Sequence, residues 1–144
     1  EKSFIGVRDR IKMTDMQGFY AKYLPRIYNT VQRAGLEMQG MPHGLYFDWD
    51  EKAGETDMAA AIPVNESMPF PDFMEFRIPA GKAAQIEYFG NYDKLGDAHY
   101  AIDDYIVEWG LKMKLPIMEE YLSDPEAEPD TSRWLTRITY PVDL

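Results

Sequence analysis

The segment Pro116-Ile117-Met118-Glu119-Glu120-Tyr121-Leu122 carries two adjacent carboxylates in an otherwise apolar run. In a strand, alternate side chains share a face, so Ile117, Glu119 and Tyr121 stand on one side and Met118, Glu120 and Leu122 on the other. Both faces are largely apolar, and whichever carboxylate points inward is expensive to bury. One face must pack on a helix; the expected arrangement turns Glu119 and Tyr121 away from it. A carboxylate under aromatic rings receives lipophilic cations by ion pairing and by cation–π attraction of about 0.5–2 kcal/mol per ring. Aromatic residues are 14% of the chain, and Tyr46, Trp49, Tyr88, Tyr121 and Trp134 lie on or beside expected strands. Glu119 is thus the candidate anchor and these rings the candidate walls, although any one ring could equally be core. In a competing enzymatic reading, Glu119 is a general base on water and Tyr121 polarises an electrophile.

Other chemistry is largely excluded. There are no cysteines, hence no disulfide, thiol nucleophile or cysteine-type zinc site. His43 and His99, the two histidines, fall on different halves of the chain and read as surface or helix-edge residues, which argues against a His-based triad or multi-His metal centre. Neither a Walker loop, a G-x-G-x-x-G nor a G-x-S-x-G elbow is present, and no cofactor or metal is expected. The run from Asp48 to Gly54 superficially suggests a calcium loop. It fails because Lys52 stands at an oxygen-ligand position, Ala53 replaces the glycine and Ala59 the terminal glutamate, so it reads as a solvated hairpin loop. The carboxylates from Glu126 to Asp130 alternate with Pro125 and Pro129 and read as loop charges.

The elements that must position these residues come as a repeat. Gly35-Leu36 leads in eleven residues to Tyr46, and that half closes on Ile62-Pro63-Val64; Gly110-Leu111 leads in eleven to Tyr121, and that half closes on Tyr140-Pro141-Val142. In this repeat Gly44 occupies the place of Glu119. Each half reads as strand, helix and two strands. Strands are expected at 4–8, 45–49 and 58–64, then at 82–89, 117–122 and 134–142. In the first helix Thr14 and Gln17 form a candidate capping box. Phe19, Tyr23, Ile27 and Val31 make its stripe, and Pro25 should kink the helix or mark its start. Ala98, Ile102, Tyr105, Ile106 and Trp109 make the second stripe, and Gly35 and Gly110 are the expected helix stops. The expected fold is α+β: duplicated β-α-β-β modules with pseudo-twofold symmetry, helices on an antiparallel sheet, and a ligand groove between modules. Module 1 spans about 1–65, a connector 65–72, and module 2 about 73–144.

With 144 residues, 45% hydrophobic and 28% charged, the chain has the composition of one globular domain. Its net charge of −10 argues against nucleic acid or an anionic membrane as a direct partner. Neither a bilayer-length apolar run nor a signal-peptide pattern is present, so a cytoplasmic location is expected. The chain begins at Glu1, as a piece of a longer polypeptide would.

Gly110-Leu111, then Glu119-Glu120-Tyr121-Leu122-Ser123-Asp124-Pro125, then the run from Thr136 to Pro141-Val142, resemble the GyrI-like effector-binding family. The resemblance takes in essentially all of the chain, including Gly44-Leu45-Tyr46 and Ile62-Pro63-Val64. That family's duplicated β-α-β-β domain is also found attached to AraC-type and MerR-type regulators. The resemblance implies a small-molecule groove between the modules with Glu119 on its floor and Tyr121 beside it. In multidrug-sensing relatives the acid meets cationic, aromatic ligands. Some stand-alone relatives are hydrolases of small reactive electrophiles, and others are described as gyrase-inhibiting, a third reading in which this acidic chain acts by protein contact. A DNA-binding or lipid-binding-like domain would be fused elsewhere in the polypeptide.

Overall fold

The computed structural model describes residues 2–123 and 127–143. Asp124, Pro125 and Glu126, which carry part of the family pattern and the start of the acidic loop, lie outside the described residues. Among those described are eight strands and two α-helices, an α+β architecture. The chain divides into two units, Glu1–Ala80 and Gly81–Leu144.

In the first unit the elements are β1 (Lys2–Lys12), α1 (Met16–Arg33), β2 (His43–Asp50), β3 (Glu55–Val64) and β4 (Met74–Ile78). The sheet order is β4-β1-β3-β2, antiparallel throughout. Residues 73–80, which the sequence reading joined to the second module, thus supply the outer neighbour of β1. α1 lies on β1 and β3 and buries Phe19, Ile27 and Val31. Ala59, Ala60 and Ala61 of β3 are fully buried, on alternating faces of the sheet. The turn between β2 and β3 is the hairpin expected in place of a calcium loop. Among the described residues no cluster of three or more metal-ligating side chains occurs.

The second unit repeats the plan with β5 (Lys82–Phe89), α2 (Leu95–Glu108), β6 (Lys112–Met113), β7 (Ile117–Tyr121) and β8 (Leu135–Asp143). Its order is β7-β8-β5, again antiparallel, with β6 on the end of β8. Ala98, Ile102 and Ile106 of α2 pack on Ile138, Tyr140 and Val142. Tyr105 and Trp109, expected in this stripe, are instead 49% and 65% exposed and lie ring to ring at 5.9 Å. Each follows a buried isoleucine, Ile102 or Ile106, by three residues, which puts it on the flank of the buried face.

The repeat landmarks have backbone causes. Gly35 and Gly110 adopt φ of 74° and 64°, the left-handed region that stops a helix without a Cβ penalty. Gly35 N–H then donates to Gln32 O and Leu36 N–H to Val31 O; Gly110 donates to Val107 O and Leu111 to Ile106 O. The leucine following each glycine thereby folds back over the last turn. Four residues after each glycine, Gln39 N–H donates to Pro63 O at 3.0 Å and Lys114 N–H to Pro141 O at 2.8 Å. Three residues after it, Met38 pairs with Val64 and Met113 with Val142. A proline closes each half where its carbonyl alone is required.

Two local expectations are corrected. Thr14 does not cap α1: residues Met13–Asp15 form a 3-10 turn, Asp15 is the N-cap, and no side chain caps by hydrogen bond. Met13 N–H is still bonded to Gly54 O at 2.8 Å, so the chain reverses within three residues of leaving the sheet. Pro25 lies inside the 18-residue helix and does not mark its start.

Candidate functional site

β7 buries both of its carboxylates, at 6% exposure for Glu119 and 8% for Glu120, and treats them differently. Glu120 pairs with Arg137 of β8 at 3.3 Å, and Arg137 also reaches Glu87 of β5 at 3.3 Å. These three stand opposite one another across the strands, so the ion pairs follow from the register. Glu119 stands on the opposite face with Tyr121, and that face is the one α2 covers. The expectation that this pair looks away from the helix is therefore corrected.

His99, near the start of α2, supplies the contact. Its Nε2 lies 2.5 Å from Glu119 Oε2, while the Tyr121 hydroxyl donates to Oε1 at 2.6 Å. His99 Nδ1 lies 2.7 Å from the Tyr140 hydroxyl. Tyr140 is 2% exposed; burial, then the charges of Asp103 and Glu119, pushes its pKa well up, so the phenol keeps its proton. Tyr140, His99 and Glu119 thus form one chain of polar contacts through the two imidazole nitrogens. One turn along α2, the Asp103 carboxyl is pushed up by partial burial, against the pull of His99 and with a smaller push from Asp104. Reading His99 as a helix-edge surface residue is thus corrected. His43 is 3% exposed, edge-on to Phe4 at 4.9 Å, with Nδ1 2.7 Å from Met41 O.

Three of the expected rings gather beside Glu119 in this unit. Tyr121 and Tyr88 stand opposite Thr136 on either side of β8, on the face shared with Glu119. Tyr92, which sequence reasoning missed, stacks edge-on to Tyr121 at 5.8 Å and lies 5.0 Å from Trp134. Trp134 is pinned by Nε1–H donating to Glu128 O at 2.8 Å, and Tyr88 by its hydroxyl donating to Asn91 O at 2.9 Å. The buried Thr136 hydroxyl has no hydrogen-bond partner among the described residues. Tyr46 and Trp49 belong to the first unit. Tyr46 is 5% exposed, hydrogen-bonded to the Tyr20 hydroxyl at 2.8 Å and 5.8 Å from the Trp49 ring; Trp49 is half exposed.

The repeat itself held the signal for what was missed. Counting from Gly35 and Gly110, Leu24 corresponds to His99 and Gly44 to Glu119; counting from the closing prolines, Ile62 corresponds to Tyr140. Three apolar or small positions of one half are the hydrogen-bonded chain of the other.

A family model described as the GyrI-like small molecule binding domain matches residues 1–143. The chain belongs to this family. No curated protein sequence matches it. Among solved structures, the GyrI-like chain is similar to the EcmrR C-terminal domain, at 24% identity and a TM-score of 0.80, over 99% of this chain and 92% of that one. EcmrR in its complex with DNA in EcmrR-RPo aligns at 24% identity and a TM-score of 0.83; this chain covers 54% of it, about half its length. SAV2435 bound to tetraphenylphosphonium aligns at 16% and 0.67, covering 99% of this chain and 88% of that one. A hydrolase from Listeria innocua aligns at 13% and 0.67, covering 99% and 87%. At these identities the solved structures show the shared GyrI-like fold. No helix among the described residues is long and apolar enough to cross a membrane.

Proposed function

We propose that this GyrI-like domain binds a lipophilic, aromatic cation, with Glu119 as anionic anchor and Tyr121, Tyr88, Trp134 and Tyr92 as aromatic walls. The carrying observation is the 6% exposed carboxylate of Glu119, bonded on both oxygens and bordered by rings fixed to β7, β8 and the turn before α2. Removing a charge from water in this way is costly unless the surroundings favour it, and ring faces favour a cation placed beside the acid. In the first unit Tyr46, the repeat counterpart of Tyr121, and Trp49 form a further aromatic pair. The structure of SAV2435 bound to tetraphenylphosphonium supports this ligand class. The likeness to EcmrR supports a sensor role in a cytoplasmic transcription regulator, with a separate fused domain contacting DNA.

Thermal unfolding tests this reading. Tetraphenylphosphonium at about a hundredfold its Kd stabilises the native state by about 2.7 kcal/mol, a rise of about 10 °C for a domain of this size. Glu119→Gln removes most of that rise. An equal rise in the variant excludes the anchor role.

The short Glu119–His99 contact of 2.5 Å favours one further reading, a hydrolase in which Glu119 activates water and Tyr121 polarises an electrophile. Catalytic loss of a reactive ester or strained ring, abolished in Glu119→Gln, establishes it. Stoichiometric binding without product excludes it.

A further inference from the structure

Glu119 is held more completely than an anchor needs to be. Oε1 accepts the Tyr121 hydroxyl at 2.6 Å and Oε2 accepts His99 Nε2–H at 2.5 Å. Bonds of this kind to an ionised acceptor are short and strong. An ammonium or guanidinium ligand with its own N–H donors must share or displace one of them to bond the acid. A cation whose charge is enclosed by carbon substituents needs no such bond; it interacts with the charge across a van der Waals gap and with the ring faces.

Resting on the lipophilic-cation reading above, we propose that His99 is the specificity-determining residue of the Glu119 site. By holding Oε2 it selects quaternary ammonium and phosphonium ions over primary ammonium or guanidinium ions of equal bulk. His99 suits this role because its other nitrogen is committed. The Tyr140 hydroxyl, 2.7 Å from Nδ1, engages it, which fixes the ring with Nε2 facing Glu119.

The test is calorimetric titration of the full 144-residue chain with methyltriphenylphosphonium and with triphenylpropylammonium at pH 8. The wild type is expected to prefer the phosphonium at least tenfold. His99→Gln, whose amide can still donate to Oε2, keeps the preference. His99→Leu moves the preference toward the primary ammonium by tenfold or more. An unchanged preference in a folded His99→Leu variant overturns the proposal. If that variant does not fold, His99→Asn, whose shorter amide does not reach Oε2, takes its place: a preference moved toward the primary ammonium supports the proposal, an unchanged one overturns it. Failure of the wild type to bind either cation overturns the lipophilic-cation reading and this inference together.

Discussion

Glu119 and Glu120 are adjacent and both buried, yet they point to opposite faces of β7 and meet different chemistry. Glu120 meets a permanent cation, Arg137, whereas Glu119 meets an imidazole and a phenol. This division separates the acid of an ion pair from the acid of the proposed binding site.

The structural half of that division is testable by stability. Arg137→Met leaves Glu120 buried without this cation and is expected to cost about 1–3 kcal/mol, reduced from a fully buried pair because Arg137 is partly exposed. Glu87→Gln, at the exposed end of the same network, should cost no more than about 0.5 kcal/mol. Urea unfolding separates the two, and equal losses contradict the assignment.

The helix-stop glycines make a second prediction. A Cβ at Gly35 or Gly110 meets no atom within 4 Å, so alanine there costs only the left-handed backbone penalty of about 1–2 kcal/mol. A Cβ at Gly6 would lie 2.3 Å from Ala60 O, a backbone atom that cannot yield. Gly6→Ala should therefore destabilise more than either of the others. Similar unfolding midpoints for all three variants contradict the close approach of β1 and β3.

The landmarks legible in the sequence were those that the backbone demands. Gly-Leu and Pro-Val recur because a left-handed stop and a proline carbonyl are needed at the same places in both halves. The alternation of Ala84, Ile86 and Tyr88 reported the inner face of β5 for a similar reason. Tertiary placement decided the rest. His99 looked inert because a lone histidine says nothing about the acid twenty residues away. Thr14 had the right type for a cap, but the bond from Met13 to Gly54 placed the helix start elsewhere. Glu119 and Tyr121 were correctly assigned to one face, but alternation alone could not say which face the helix covers.

Alkaline stability provides a third prediction. Tyr140 has its pKa raised in the folded state above the value of 10.0 for a free tyrosine. Its contribution is complete below pH 10 and is lost as pH rises beyond, because the unfolded chain releases the proton first. Tyr140→Phe should flatten the decline of stability above pH 10. An unaltered decline contradicts the burial of that hydroxyl.

At the acid end the sign reverses. The hydrogen-bonded Arg8 guanidinium holds the Asp57 carboxyl below the usual carboxylate range, against a smaller effect of burial. Its contribution is present above the unfolded value of about 3.9 and is lost as pH falls through the lower folded value. Asp57→Asn should therefore shallow the acid limb of the stability curve and leave the region above pH 5 parallel to wild type. A variant with an unchanged acid limb contradicts the pairing.

The most direct test of the central claim is a structure of the domain with tetraphenylphosphonium bound. The cation is predicted beside the Glu119 carboxylate, with a phenyl ring within about 6 Å of the Tyr121 or Trp134 ring. A cation seated elsewhere would contradict it. One such place is the groove of about 720 Å³ between β5 and α2, lined by Ile86, Ile102, Tyr105 and Trp109.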